Sequence, residues 1–168
     1  MSHQFSIDEI FEIAEQIERN GAKFYREAAL TTRDVSHQDL LRGLAFTEDE
    51  HERTFAAMRK ELVQESGRES VYEGEDLTSQ YLWAWADKAV FDMESDPLAI
   101  LTSGASMETI LTTAIDREKE SIVFYAGLKG GISVEADRAK VDAIIEEEMM
   151  HVGLLSKHLQ ILRRVQHS

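Results

Sequence analysis

The segment Ile144–Leu155, IIEEEMMHVGLL, decides the fold of this 168-residue chain. Read at spacings of three and four, it places Glu148 and His151 on the same helix face as apolar Ile144 and Leu155. That face has the pattern of a core-facing seam, where a carboxylate is costly unless something neutralises it. A lone Glu-x-x-His pair is usually exposed to solvent, so its meaning depends on whether the chain repeats it.

The segment Leu44–Phe55, LAFTEDEHERTF, repeats the pattern one hundred residues earlier. Glu48 and His51 interrupt its apolar seam at the same two places. The helical patterns that precede the two segments also match at this offset, and residues 7–62 align with 107–162 without a gap. The sequence therefore predicts a helical hairpin that is present twice.

The first helix of each predicted hairpin carries one glutamate on its apolar face, Glu18 in the first and Glu118 in the second. A tyrosine follows each glutamate seven residues later, at Tyr25 and Tyr125. Seven residues is about two helical turns, so the tyrosines also point towards the core. We predict that the tyrosine hydroxyls form hydrogen bonds with the inward glutamates and have a supporting role in catalysis.

Residues 1–168 are predicted to form one all-α domain, a four-helix bundle. Ser6 begins a capping-box sequence with Glu9, and Ser36 is the expected cap of the second helix. About forty residues separate the second and third helices, which predicts a long crossover that contains a short helix. We expect its aromatic residues to pack on the bundle or in a subunit interface. The predicted helices span about 6–31, 36–67, 106–128 and 133–165, and the crossover aromatics are Trp83, Trp85 and Phe91.

The composition excludes several classes of function. The net charge of -14 argues against nucleic acid and anionic membranes as partners. The absence of cysteine excludes disulfides, thiolate metal sites and cysteine nucleophiles. No apolar run reaches the roughly 20 residues of a membrane span, and the start MSHQFSIDEI is unlike a signal peptide. We therefore expect a cytoplasmic protein.

Charged residues next to the seam are predicted to have other roles. Glu147 is expected to face solvent or to support a ligand from outside. His158, whose counterpart is Met58, is expected to pack in the core or at a helix end. The residues predicted to lie off the seam or at the surface are Glu15, Asp49, Glu50, Glu120, Glu146, His3, His37 and His167.

The set of inward polar residues is similar to the ligand set of ferritin-like di-iron and di-manganese bundles. In those proteins two helices give one glutamate each, and the other two give a Glu-x-x-His pair each. Four buried carboxylates need neutralisation, and two divalent cations supply it while neutral imidazoles add ligands without charge. Mixed carboxylate and imidazole ligands suit iron or manganese, and zinc is a possible substitute. The candidate ligands are Glu18, Glu48, His51, Glu118, Glu148 and His151.

The chain resembles the rubrerythrin branch of the ferritin-like superfamily over nearly its whole length. The resemblance lies in Glu18 with Tyr25, Glu118 with Tyr125, and the two Glu-x-x-His pairs. It implies a di-iron centre that reduces hydrogen peroxide or dioxygen, with a role in oxidative or iron stress. Ser121 stands where rubrerythrin has an additional glutamate, which argues against the redox-dependent iron shift of that family.

The resemblance also bears on partners. Rubrerythrin carries a four-cysteine rubredoxin domain, whereas this chain has no cysteine, so electrons are expected to come from a separate donor protein. A homodimer is expected. Two other functions stay open: an iron-binding protein that sequesters or senses iron without turnover, and a di-iron hydroxylase of an organic substrate. The hydroxylase would need a cavity beside the metals, which the small residues Gly21 and Ser121 would have to provide.

Overall fold

The computed structural model describes residues 6–66, 82, 98–132 and 134–166. Within these residues the chain forms four long helices and one short helix, which confirms the predicted all-α class. None of these helices combines the length and the apolar character that a membrane span requires. The helices are α1 (Ile7–Thr31), α2 (Val35–Ser66), α3 (Ala99–Thr102), α4 (Met107–Gly130) and α5 (Glu135–Gln166).

Side-chain caps fix where the first two helices begin. The Ser6 hydroxyl accepts a hydrogen bond from the Glu9 N–H at 3.2 Å, and Glu9 accepts one from the Ser6 N–H at 2.8 Å, as predicted. The cap predicted for α2 was wrong. Asp34 caps it instead of Ser36, because its carboxylate accepts from the N–H groups of Ser36 and His37 at 2.8 and 3.3 Å. A negative charge at this end also interacts favourably with the helix dipole.

The second hairpin begins and ends close to the predicted residues. Ser106 caps α4 by accepting a hydrogen bond from the Thr109 N–H at 3.2 Å. The helix continues two residues beyond the predicted Leu128 and ends at Gly130. The expected start of the last helix at residue 133 lies outside the described residues, and α5 itself runs from Glu135.

The helices pair as two antiparallel hairpins, α1 with α2 and α4 with α5. Arg59 near the end of α2 pairs with Asp8 at the start of α1 at 2.6 Å. Glu108 at the start of α4 pairs with Arg163 near the end of α5 at 2.7 Å. Contacts between the beginning of one helix and the end of the next are possible only when the two helices run in opposite directions.

The contacts between hairpins explain the long crossover. Tyr25 of α1 reaches Glu118 of α4, and Tyr125 of α4 reaches Glu18 of α1, so α1 and α4 are antiparallel. Both α2 and α4 therefore run opposite to α1 and parallel to each other. The end of α2 and the start of α4 therefore lie at opposite ends of the bundle, about 36 Å apart for a helix the length of α4.

One described residue shows where the crossover meets the bundle. Leu82 is helical and fully buried, and it packs where Gly127 leaves room on α4. A Cβ added to Gly127 would lie only 3.2 Å from Cδ1 of Leu82. The other residues of the predicted crossover helix, including Trp83, Trp85 and Phe91, lie outside the described residues.

Two apolar clusters lie on either side of the polar seam residues. One contains Phe11 of α1 and Phe55 of α2, and the other contains Phe24 of α1 and Leu41 of α2. Along α1, Glu18 falls between these clusters. The polar layer is therefore closed off at both ends by packed side chains, which keeps water away from its carboxylates.

Candidate metal centre

The structure brings together all six side chains that the sequence selected. Each is at most 5% exposed, although four are carboxylates and two are imidazoles. Carboxylates are rarely buried unless they are paired or bind a cation. Each of the four long helices contributes to the set: Glu18 from α1, Glu48 and His51 from α2, Glu118 from α4, and Glu148 and His151 from α5.

The six residues form two overlapping groups, each able to surround one cation. Within each group, one ligand atom per residue lies within 4.8 Å of every other. Glu48 and Glu148 belong to both groups, so each can bridge two neighbouring ions. The first group is Glu18, Glu48, His51 and Glu148, and the second is Glu48, Glu118, Glu148 and His151.

The two imidazoles turn the same nitrogen towards the carboxylates. Nδ1 of His51 lies 3.1 Å from Oε1 of Glu148, and Nδ1 of His151 lies 3.0 Å from Oε2 of the same carboxylate. The two rings are stacked with centroids 6.0 Å apart. Nδ1 is therefore the nitrogen that each histidine offers to a metal, and Nε2 is left for a partner outside the cluster.

Glu147 supplies such a partner for His51. Its Oε2 lies 2.8 Å from Nε2 of His51, although the Glu147 side chain is 45% exposed. Glu147 was expected either to face solvent or to support a ligand from outside. Its contact with His51 shows that it supports a candidate ligand. A carboxylate on the far nitrogen fixes the tautomer of a histidine and makes Nδ1 a better ligand.

The tyrosines reach the inward glutamates across the bundle. Tyr25 of α1 donates a hydrogen bond to Oε1 of Glu118 on α4. Tyr125 of α4 donates one to Oε1 of Glu18 on α1. Both tyrosines are at most 2% exposed. These bonds fix the orientation of Glu118 and Glu18, each of which belongs to only one of the two groups. The catalytic role of the tyrosines stays a prediction.

Burial and mutual repulsion change the titration of the clustered carboxyls. Burial, followed by the charge of Glu18, raises the pKa of Glu48 well above its usual range. Burial and a hydrogen bond with Glu148 raise the pKa of Glu118 to about 8. Burial alone would also raise the pKa of Glu148, but hydrogen bonds from Glu118 and the two imidazoles lower it. Without a metal, protons hold part of this cluster together.

The pKa values of the imidazoles and phenols rise, as expected for groups beside carboxylates. Burial alone would lower the pKa of His51, but the hydrogen bond with Glu148 and the nearby charge of Glu18 raise it to about 11. The pKa of His151 rises to about 9 because hydrogen bonds with Glu118 and Glu148 outweigh burial. Burial raises the pKa of Tyr25 and Tyr125 further, so both phenols stay protonated and remain donors.

Two carboxylate oxygens give a direct test of whether the cluster fits cations. Oε2 of Glu18 and Oε1 of Glu48 are buried and have no hydrogen-bond partner. An unpaired buried acceptor is costly, and these two oxygens belong to the residues that line the first group. A divalent cation would satisfy both. Four carboxylates and two imidazoles match the preferences of iron and manganese, so the residues present fit a two-metal centre.

Gly21 provides the space that Glu48 needs. A Cβ built on Gly21 would lie 2.7 Å from Oε2 of Glu48, closer than carbon and oxygen can approach. Its repeat counterpart, Ser121, has a Cβ and donates its hydroxyl to the Arg117 carbonyl at 3.1 Å. The space beside Gly21 is thus filled by the bridging carboxylate, and Gly21 does not provide the substrate cavity that the hydroxylase hypothesis required.

Two predictions about neighbouring residues were wrong. Glu15 is only 8% exposed, because Arg59 of α2 pairs with it at 3.2 Å. Glu15 lies three residues before Glu18, and this spacing was the available signal that it stays near the seam. His37 is 9% exposed, and its ring centroid lies 5.8 Å from that of His158. The seam position of His158 gave no indication of its partner on α2.

Comparison with known proteins gives one structural match. No family model and no curated protein matches the chain. The matching crystal structure is of a protein from Thermotoga maritima, provisionally assigned as a ferritin-like diiron-carboxylate protein and solved at 2.30 Å resolution. The two chains share 22% identity over 95% of this chain and 98% of the other, with a TM-score of 0.69. The fold is ferritin-like. This confirms the architecture that the sequence predicted, while the rubrerythrin branch stays a prediction.

Proposed function

We propose that this protein is a di-iron oxidoreductase that oxidises a pair of ferrous ions with hydrogen peroxide or dioxygen. The observation that carries the proposal is the sharing of Glu48 and Glu148 between two four-residue groups. The two shared carboxylates would hold a pair of metals side by side, and such a pair can act together on one small molecule. The Thermotoga maritima protein of the same fold is itself provisionally assigned as a ferritin-like diiron-carboxylate protein.

The ligand set suits iron. Glu18, Glu48, Glu118 and Glu148 supply carboxylate oxygens, while His51 and His151 supply one Nδ1 each. Two divalent ions cancel the four negative charges, so the buried centre has no net charge. Manganese suits the same ligands, and zinc would bind without offering redox chemistry.

When bound, a ferrous pair supplies two electrons, which reduce one hydrogen peroxide to two water molecules as two protons are taken up. The protein residues fix the positions of the ligands and exclude bulk water. Tyr25 and Tyr125 hold Glu118 and Glu18 in place by donating to one oxygen of each. The apolar clusters around Phe55 and Phe24 keep bulk water out. The absence of cysteine supports a separate donor protein for re-reduction.

Anaerobic loading followed by rapid mixing tests the proposal. Metal-free protein is incubated with Fe²⁺ without oxygen, the bound iron is counted, and the complex is mixed with hydrogen peroxide or with dioxygen. We expect two iron ions per chain and a fast rise in ferric absorbance. Glu146→Gln, which removes an exposed carboxylate next to the cluster, is the matched control and should behave like the wild type.

The result also separates this function from simple iron binding. An oxidoreductase should return to the ferrous state with a reducing donor and oxidise again over many cycles. A protein that binds two ferrous ions but stays ferrous after mixing with both oxidants would contradict the proposal. A single stoichiometric oxidation that no donor reverses would support sequestration instead.

A further inference from the structure

The repeat allows the two metal positions to be compared residue by residue. Inside the cluster they match: Glu18 corresponds to Glu118 and His51 to His151, and both positions share the bridging carboxylates. Outside the cluster the match ends at the residue that precedes each bridging glutamate. This residue is Glu147 on α5 and Thr47 on α2.

The two residues act differently on the histidine opposite. Glu147 reaches from α5 to Nε2 of His51 at 2.8 Å. Thr47 is too short to do the same for His151, and its hydroxyl donates to the Gly43 carbonyl of its own helix at 3.3 Å. In the part of the chain that the structure describes, all polar contacts of His151 are made by Nδ1.

A carboxylate on Nε2 changes what the opposite nitrogen offers to a cation. It accepts a hydrogen bond from Nε2–H, which leaves Nδ1 as the nitrogen that binds a cation, and it adds one negative charge near the metal position. Loss of such a partner typically lowers metal affinity by about 10-fold to 100-fold. Among the described residues, only the position of Glu18 and His51 has this support.

We propose that Glu147 makes the two metal positions unequal, so that the position of Glu18 and His51 fills before the position of Glu118 and His151. The inference rests on the proposed metal centre but not on its redox activity. It assigns Glu147 as a positioning residue, which touches His51 and does not touch the metal. It also assigns an order of loading, one tight ion followed by one weaker ion.

Titration of the metal-free, full-length protein with Co²⁺ tests this order, because Co²⁺ binds such ligands, has a visible spectrum and is not oxidised under these conditions. We expect two binding steps separated by about tenfold or more. Glu147→Gln should weaken the first step by at least about tenfold, so that the steps merge. Glu146→Gln removes the same charge one residue away, from a side chain that faces solvent, and should change neither step.

Two histidine backgrounds show which position Glu147 supports. In His151→Ala the remaining position contains His51, and adding Glu147→Gln should weaken Co²⁺ binding by about tenfold or more. In His51→Ala the remaining position contains His151, and adding Glu147→Gln should leave the affinity within about twofold. Circular dichroism melting of each variant confirms that the comparison is made between folded proteins.

The reciprocal substitution gives a gain of function. Thr47→Glu places a carboxylate where the repeat predicts contact with His151, and it should strengthen the second step. Equal affinities in the wild type, or equal weakening by Glu147→Gln and Glu146→Gln, would overturn the inference and leave the metal centre standing. Failure of the wild type to bind any Co²⁺ would instead overturn the metal centre, and the inference with it.

Discussion

The two hairpins of the bundle are alike inside and different outside. On the inside, Tyr25 and Tyr125 donate to opposite glutamates, and both histidines face the same carboxylate, Glu148. On the outside, α1 and α2 are joined by Arg59, which pairs with Asp8, Glu12 and Glu15. The corresponding position in the second hairpin is Leu159, which is buried in an apolar cluster.

This difference separates two kinds of requirement. Positions that hold buried charge have few chemical solutions, because every carboxylate oxygen must meet a cation or a donor. Positions between helices at the edge of the bundle tolerate either an ion pair or an apolar contact, since both stabilise packing by modest amounts. The interior match therefore reflects the candidate centre, and the mismatch between Arg59 and Leu159 reflects packing.

The largest expected effect comes from breaking the interior match at a shared ligand. Glu48→Ala removes a carboxylate that belongs to both groups, whereas Glu18→Ala removes one that belongs to the first group only. We expect Glu48→Ala to abolish the binding of both ions and Glu18→Ala to leave one ion per chain. Metal analysis after anaerobic loading measures the difference. Equal losses in the two variants would show that Glu48 does not bridge.

A smaller effect is expected at Gly21, which lacks the Cβ that its counterpart Ser121 has. Gly21→Ala places a Cβ 2.7 Å from Oε2 of Glu48, so the carboxylate must turn away from the cluster. Folding should not suffer, because alanine favours a helix over glycine by about 1 kcal/mol and the displaced group is the end of a flexible side chain. We therefore expect weaker metal binding by the variant but an unchanged or higher melting temperature of the metal-free protein.

The counterpart Ser121→Ala is the control for this substitution. Ser121 already has a Cβ, and its hydroxyl bonds to the Arg117 carbonyl of its own helix rather than to a carboxylate. Metal affinity should stay within about twofold of the wild type, since no group of the cluster loses a partner. If both substitutions weaken binding equally, the space beside Gly21 is not what positions Glu48.

The tyrosines test whether the two halves are energetically equal. Tyr25→Phe leaves an oxygen of Glu118 without its donor, and Tyr125→Phe does the same to Glu18. Each substitution should lower the free energy of unfolding of the metal-free protein by about 1–3 kcal/mol, the cost of an unpaired buried acceptor. Chemical denaturation of both variants measures it. A large difference between them would show that the interior match does not extend to energetics.

The sequence predicted the interior better than the contacts between helices. The offset of one hundred selected the six candidate ligands and both tyrosines, because buried polar residues in an apolar seam stand out from their neighbours. It did not reveal that Tyr25 bonds to Glu118 rather than to a group of its own hairpin, since that pairing depends on how α1 packs on α4. The burial of Glu15 was missed because it depends on how α1 packs on Arg59 of α2.

The N-cap of α2 was predicted wrongly because two good capping residues lie close together in the sequence. Asp34 and Ser36 are both good N-caps, and the sequence pattern does not separate residues two positions apart. The structure selects Asp34, which accepts from two backbone N–H groups and from the Ser36 hydroxyl at 2.7 Å. The hydrogen bond from the Ser36 hydroxyl, followed by those from the His37 and Ser36 N–H groups, keeps the pKa of Asp34 below its usual range.

The smallest expected effect comes from a position where the repeat pairs a histidine with a methionine. Burial, followed by the charges of His37 and Lys157, lowers the pKa of His158. The unfolded chain therefore binds this proton more readily than the folded one. Stability contributed by neutral His158 is complete above a pH of about 6.5 and is lost as the pH falls through the lowered pKa.

His158→Met, which copies Met58, should remove this pH dependence. Above a pH of about 7 its melting temperature should be close to that of the wild type, since His158 is neutral there in both the folded and the unfolded chain. At a pH of about 5.5 the variant should be the more stable protein, because it has no imidazole to protonate on unfolding. Met58→Leu, a similar apolar change in the other half, should leave the pH dependence as it is. If His158→Met loses as much stability on acidification as the wild type, His158 does not sense pH, and the halves differ here in packing only.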